Sequence, residues 1–144
     1  MASDEMASED HLIPVQILGL HTDTPGGVAI VLKGDEPKVV PIVIGEFEAQ
    51  ALVMAIQKVE PPRPMPYDLL QDVLERMHGT IRQLVIHSVR DSVFHAYLLI
   101  ESREKPVLLD CRPSDGLVMA TRLGVPIYMT PEVLEEAGLE PEGP

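Results

Sequence analysis

The chain has 144 residues, 45% of them hydrophobic and 3% aromatic, with a formal net charge of −12 and one cysteine. That length fits one domain with an aliphatic core. The single cysteine excludes an intramolecular disulfide, and two Phe, three Tyr and no Trp are too few for a base-stacking platform. Nine of the 23 acids lie in residues 1–10 and 132–144, leaving 14 acids against 11 bases between them. The acidity is therefore mostly terminal and does not bar a polyanionic partner.

Residues 1–11 contain the near-repeat Met1-Ala-Ser-Asp-Glu and Met6-Ala-Ser-Glu-Asp, and read as a disordered acidic leader. The folded domain is expected over residues 12–138, followed by a disordered tail at 139–144. Residues 12–20 read as a strand, turned by Thr24-Pro25-Gly26-Gly27. Residues 28–33 and 39–44 are β-branched strands joined through Gly34-Asp35-Glu36-Pro37. The second shows no alternation, which predicts cover on both faces; Pro41 predicts a sheet edge or a bulge. Gly45 breaks that strand before a helix over 46–57, expected to be mostly buried, with Glu46 and Glu48 in its first turn.

Glu60-Pro61-Pro62-Arg63-Pro64-Met65-Pro66 is a stiff connector. It reads as a rigid linker with an exposed Arg63, or as a preset clamp for an anion. Residues 67–78 form an amphipathic helix with Leu69, Leu70, Val73, Leu74 and Met77 on one stripe. Strands at 80–89, 93–101 and 107–111 follow, with links short enough for an antiparallel meander. His87 and His95 read as cross-strand polar residues. Asp110 and Arg112 share a face, and a buried helix opens near Pro113 with Ser114 or Asp115 as its cap. It ends at Leu123-Gly124. A short strand over 125–128 precedes a last helix capped by Thr130 and closed by Gly138. The fold class is α+β: a single compact domain with an N-terminal β-hairpin region and helix pair, a three-strand meander, a buried helix, a short strand and a C-terminal helix.

Acids and arginines at element ends are the chemistry on offer: Glu46, Glu48, Arg63, Asp68, Asp110, Arg112 and Asp115. The carboxylates suit a divalent ion such as Mg²⁺ or Mn²⁺, and the arginines suit phosphate. The same residues suit a closed Arg–Asp network bracing helix starts. The expectation is that three helix N-termini converge around Arg112. Phosphate-binding glycine loops, zinc-finger spacings and a membrane-length apolar run are absent from the sequence, and the acidic start is unlike a signal peptide, so the cytoplasm is the default.

Three blocks follow one another in order: Pro41-Ile42-Val43-Ile44-Gly45-x-x-Glu48-Ala49, Arg63-Pro64-x-x-x-Asp68-Leu69-Leu70, and Asp110-x-Arg112-Pro113-Ser114-Asp115. Together they resemble the bifunctional nuclease family over roughly residues 12–138. The resemblance implies an α+β domain that commonly self-associates and cleaves both DNA and RNA. It also implies that Arg63, Asp68, Arg112, Ser114 and Asp115 occupy the family's signature polar positions. Where the family usually has Thr-His before the second-block acid, this chain has Pro66-Tyr67. On that basis Asp68, Asp110, Ser114 and Asp115 are the catalytic candidates. Arg63, Arg112 and Tyr67 are the substrate-binding candidates, and Glu46 and Glu48 the metal candidates. The alternative is a non-catalytic homo-oligomeric module that uses the same charges to brace helix ends and a subunit interface.

Overall fold

The computed structural model describes residues 11–141; residues 1–10, most of the expected leader, and 142–144 lie outside the described residues. Among the described residues the β-branched runs become seven strands: β1 (Ile13–Thr24), β2 (Gly27–Lys33), β3 (Val39–Ile44), β4 (Thr80–Arg90), β5 (Val93–Glu101), β6 (Val107–Cys111) and β7 (Ile127–Met129). Four helices of the described residues join them: α1 (Glu46–Gln57), α2 (Pro66–Arg76), α3 (Pro113–Leu123) and α4 (Pro131–Ala137). The expected α+β class holds.

One curled sheet runs in the order β3-β2-β1-β7-β4-β5-β6. The meander β4-β5-β6 is antiparallel, as its short links require. The three-residue β7 decides the architecture. It lies antiparallel to β1 and parallel to β4, so it joins the N-terminal strands and the meander into a single sheet.

Three expectations are corrected. β3 is an edge strand, which accommodates Pro41, and its burial alternates: Val40, Ile42 and Ile44 are buried while Val43 is 52% exposed. It is thus covered on one face, because at the sheet edge only one layer reaches it. α1 buries only Ala49 and Leu52 against its neighbours, and Phe47 stands 82% exposed. Its apolar run does not imply full burial, since one helix face is enough to close the core. Leu139 is paired rather than in a free tail; it exchanges backbone hydrogen bonds of 2.9 and 2.7 Å with Val39.

The core gathers Ile30, Leu32, Leu52, Leu84, Ile86 and Met129 from strands and α1 with Leu117, Val118 and Met119 of α3. Each such side chain contributes about 1.5–3 kcal/mol by leaving water. α3 comes close to the sheet at Gly116, where a Cβ would sit 2.5 Å from Leu84 Cδ1 and 3.2 Å from Cys111 Sγ. That approach holds the first turn of α3 against the end of β6. Thr130 caps α4 by accepting from Val133 N–H at 3.4 Å, with Pro131 in the first turn as the sequence indicates. His87 and His95 are neighbours on β4 and β5, with ring centroids 6.4 Å apart.

Candidate functional site

The starts of α1, α2 and α3 meet beside the end of β6 and enclose a cleft of about 630 Å³. Each helix sends a polar residue from its first turn. Asp115 of α3 accepts from Arg112 Nε at 2.9 Å and Nη2 at 3.1 Å, a side-on pair that fixes the guanidinium plane. Tyr67 of α2 donates its hydroxyl to Asp115 Oδ1 at 2.7 Å. Glu48 of α1 lies 3.7 Å from Arg112 Nη2. Its carboxylate folds over Gly45, where the lack of a Cβ leaves it room. The convergence on Arg112 is therefore built from Glu48, Tyr67 and Asp115.

Asp68 does not join it. Its carboxylate accepts the Met65 N–H at 2.8 Å at the start of α2 and pairs with Arg122 Nη2 at 2.6 Å. Arg122 also reaches Gln71 at 3.1 Å, so this one side chain ties α2 to α3 twice. Arg122 was missed by sequence reasoning, although Asp115, Val118 and Arg122 follow the 3–4 spacing of one helix face. Arg63 is exposed and lies outside the cleft lining, because the stiff proline segment carries it to solvent before α2 begins. Glu46 is exposed and, among the described residues, enters no ion pair. Asp110 lines the cleft from β6 with no ion pair or side-chain hydrogen bond among the described residues. Ser114 is buried and opens on a different cavity.

The protonation states follow from these contacts. Burial opposes ionisation of Asp115, but the hydrogen bonds from Arg112 and Tyr67 outweigh it and hold the carboxyl below the usual range. The Met65 N–H, with help from Arg122, lowers Asp68. Burial, reinforced by Asp115, drives the Tyr67 phenol above its ordinary value, so it remains an O–H donor. Burial pushes the Cys111 thiol in the cleft wall up to about 12, aided by the charges of Asp110 and Asp115, which favours the neutral thiol near pH 7.

The donor set is not arranged as a cage for a divalent ion. Mg²⁺ takes six oxygen ligands, with one or two protein carboxylates and the rest from water or phosphate. Among the described residues no three Asp, Glu, His or Cys side chains come together as ligands. Asp115 is committed to Arg112 and Tyr67, and Asp68 to Arg122.

The fold and site thus define an α+β domain with a charged cleft at three helix starts. The family model of the bifunctional nuclease domain matches residues 30–142. An uncharacterized protein of Mycobacterium tuberculosis is 33% identical over 127 residues, covering 87% of this chain and 76% of that protein. Bifunctional nuclease 1 of Oryza sativa subsp. indica is 30% identical over 117 residues, covering 78% of this chain and 35% of its own length. Bifunctional nuclease 2 of Arabidopsis thaliana is 29% identical over 127 residues, covering 79% and 39%. The chain belongs to the bifunctional nuclease domain family, and it spans little more than a third of those plant relatives. No helix among the described residues is long and apolar enough to cross a membrane.

Proposed function

We propose that this domain hydrolyses phosphodiester bonds of nucleic acid in the cleft between the starts of α1, α2 and α3. The presentation of Arg112 carries the reading. Asp115 occupies its Nε–Nη2 edge, while Nη1 has no partner among the described residues and the side chain stays 65% exposed. A guanidinium held on one edge and open on the other can engage a phosphate and offset charge growing on the phosphoryl oxygens. Membership of a nuclease family supports the same substrate.

In this reading Asp115 is a positioning residue for Arg112, and Tyr67, which gives its single O–H to Asp115, holds that carboxylate in place. Asp110 takes the proton of the attacking water as its oxygen bonds to phosphorus. The bond from phosphorus to the leaving sugar oxygen breaks, and that oxygen takes a proton from solvent. No 2′-hydroxyl is needed, so DNA and RNA are both substrates. No step through a bound metal follows from the donor arrangement. The test is cleavage of single-stranded RNA and DNA with Mg²⁺, with Mn²⁺ and with chelator. Arg112→Ala and Asp110→Asn should each lose at least a hundredfold in rate, the scale of general base and oxyanion contributions. Full activity in Asp110→Asn would remove the water-activating role.

One observation favours a second reading, a homo-oligomeric interaction module. α2 has no buried residue, and Leu69, Val73 and Met77 stand 60%, 49% and 74% exposed along one face. Light scattering on the wild type and on Val73→Glu tests it: the module reading requires an oligomer that this substitution dissociates.

A further inference from the structure

A second cavity, of about 670 Å³, shares Arg112 with the cleft and none of its other lining residues. It lies between the end of β3 at Gly45, the β4–β5 turn at Asp91 and Ser92, Glu136 of α4, and the opening residues Pro113 and Ser114 of α3. The most informative wall is Ser114. It is only 7% exposed, it lines the cavity, and among the described residues no hydrogen bond holds its hydroxyl. The Ser114 hydroxyl thus has no protein partner among those residues, and an acceptor arriving in the cavity gains a hydrogen bond from it.

The start of α3 offers further donors. The helix has no side-chain cap, and Pro113 has no N–H. Gly116 N–H reaches Arg112 O at 3.0 Å, so the Ser114 and Asp115 N–H groups before it have no intrahelical acceptor. The Ser114 N–H and hydroxyl, with the Arg112 guanidinium, at the positive end of a helix of 11 residues make a phosphate-type site. The other charged groups facing the cavity are Asp91 and Glu136, both exposed. Carboxylates there repel a bare anion yet accept hydrogen bonds from sugar hydroxyls. A phosphate joined to a hydroxyl-bearing sugar meets both requirements, and the cavity is within the size range of small-molecule sites.

We propose that this cavity is a nucleotide subsite. Ser114, the α3 start and Arg112 hold the phosphate, and the ribose hydroxyls lie toward Asp91 and Glu136. The proposal rests on the nuclease reading in one respect: Arg112 would place this nucleotide next to the phosphate undergoing attack.

Amide NMR titrations with AMP, inorganic phosphate and adenosine test it on the whole chain. AMP should shift the Ser114, Asp115, Gly116 and Asp91 amides, phosphate should do so more weakly, and adenosine should not. Ser114→Ala should weaken AMP binding about tenfold, the loss of one charge-assisted hydrogen bond. Glu136→Gln, an exposed rim change, should tighten inorganic phosphate. Equal AMP affinity in Ser114→Ala, or equal responses to AMP and adenosine, would overturn the subsite. A protein that binds AMP in this way and cuts no nucleic acid upholds the subsite and refutes the nuclease reading. One that cuts nucleic acid without any AMP response at these amides overturns the subsite alone.

Discussion

Helices α2 and α3 both deliver their first turn to the cleft, yet opposite forces hold them. α3 buries Pro113, Ser114, Gly116, Leu117, Val118, Met119 and Ala120, while α2 buries none of its residues. The half of the site that carries Arg112 and Asp115 is therefore positioned by packing. The half that carries Tyr67 rests largely on two polar links, Tyr67 to Asp115 and Asp68 to Arg122. A close-packed support tolerates little displacement, whereas polar links in partial contact with water are individually weak.

The largest effect should come from Leu117→Ala, where a side chain with no exposure is lost: about 3 kcal/mol in chemical denaturation. Leu69→Ala, 60% exposed on α2, should change stability by less than about 0.5 kcal/mol. Similar costs at the two positions would break the contrast between the helices.

Gly116→Ala should cost about 1–3 kcal/mol, because its methyl would press on the buried Leu84 side chain and on Cys111. If Ala is accommodated without loss, the close approach of α3 to the sheet is not what holds the α3 half of the cleft.

Arg122→Met keeps much of the side-chain volume and removes both links to α2. It should cost about 1–2 kcal/mol. Hydrogen exchange localises the effect: α2 amides should exchange faster while those of β4 and β5 keep their protection. Uniform loss of protection would show that α2 is as much part of the packed body as α3.

Of the two polar links, the loss in Tyr67→Phe should be the smaller, about 1 kcal/mol for one hydrogen bond to a carboxylate of intermediate exposure. Its sharper readout is the Asp115 titration, which should move up toward the ordinary carboxyl value. Asp115 and Asp68 both have folded values below their unfolded ones. Their contribution is thus complete above the ordinary carboxyl value and is lost as pH falls through the folded one. Stability should stay level near neutrality and fall below about pH 4. In Tyr67→Phe the acid decline should be shallower.

Much of the fold was legible because its signals are local. β-branched runs, proline at helix starts and glycine after helix ends mark elements whose dihedral preferences act within a few residues. The bounds of β3, α1, β5 and β6 follow from them directly. What escaped was non-local. Burial of α1 and β3 was overestimated, since apolar composition states what can be buried and not how many neighbours arrive to bury it. The site was legible in part for the same reason. Arg112 and Asp115 are three residues apart on a helix start, so their pairing was within reach of sequence. The separation of Asp68 from that pair, the exit of Arg63 to solvent and the turning of Ser114 into a second cavity depend on how α2 docks.

By itself, then, the sequence determined the elements, the family and the block of residues at the start of α3, because local stereochemistry and motif order suffice for these. Only the tertiary structure decided that three-residue β7 fuses two sets of strands into one sheet. It also decided that Arg122, 54 residues away from Asp68 along the chain, claims that acid. Such partnerships come from distances in space that chain separation does not encode, and they set which charges remain available for chemistry.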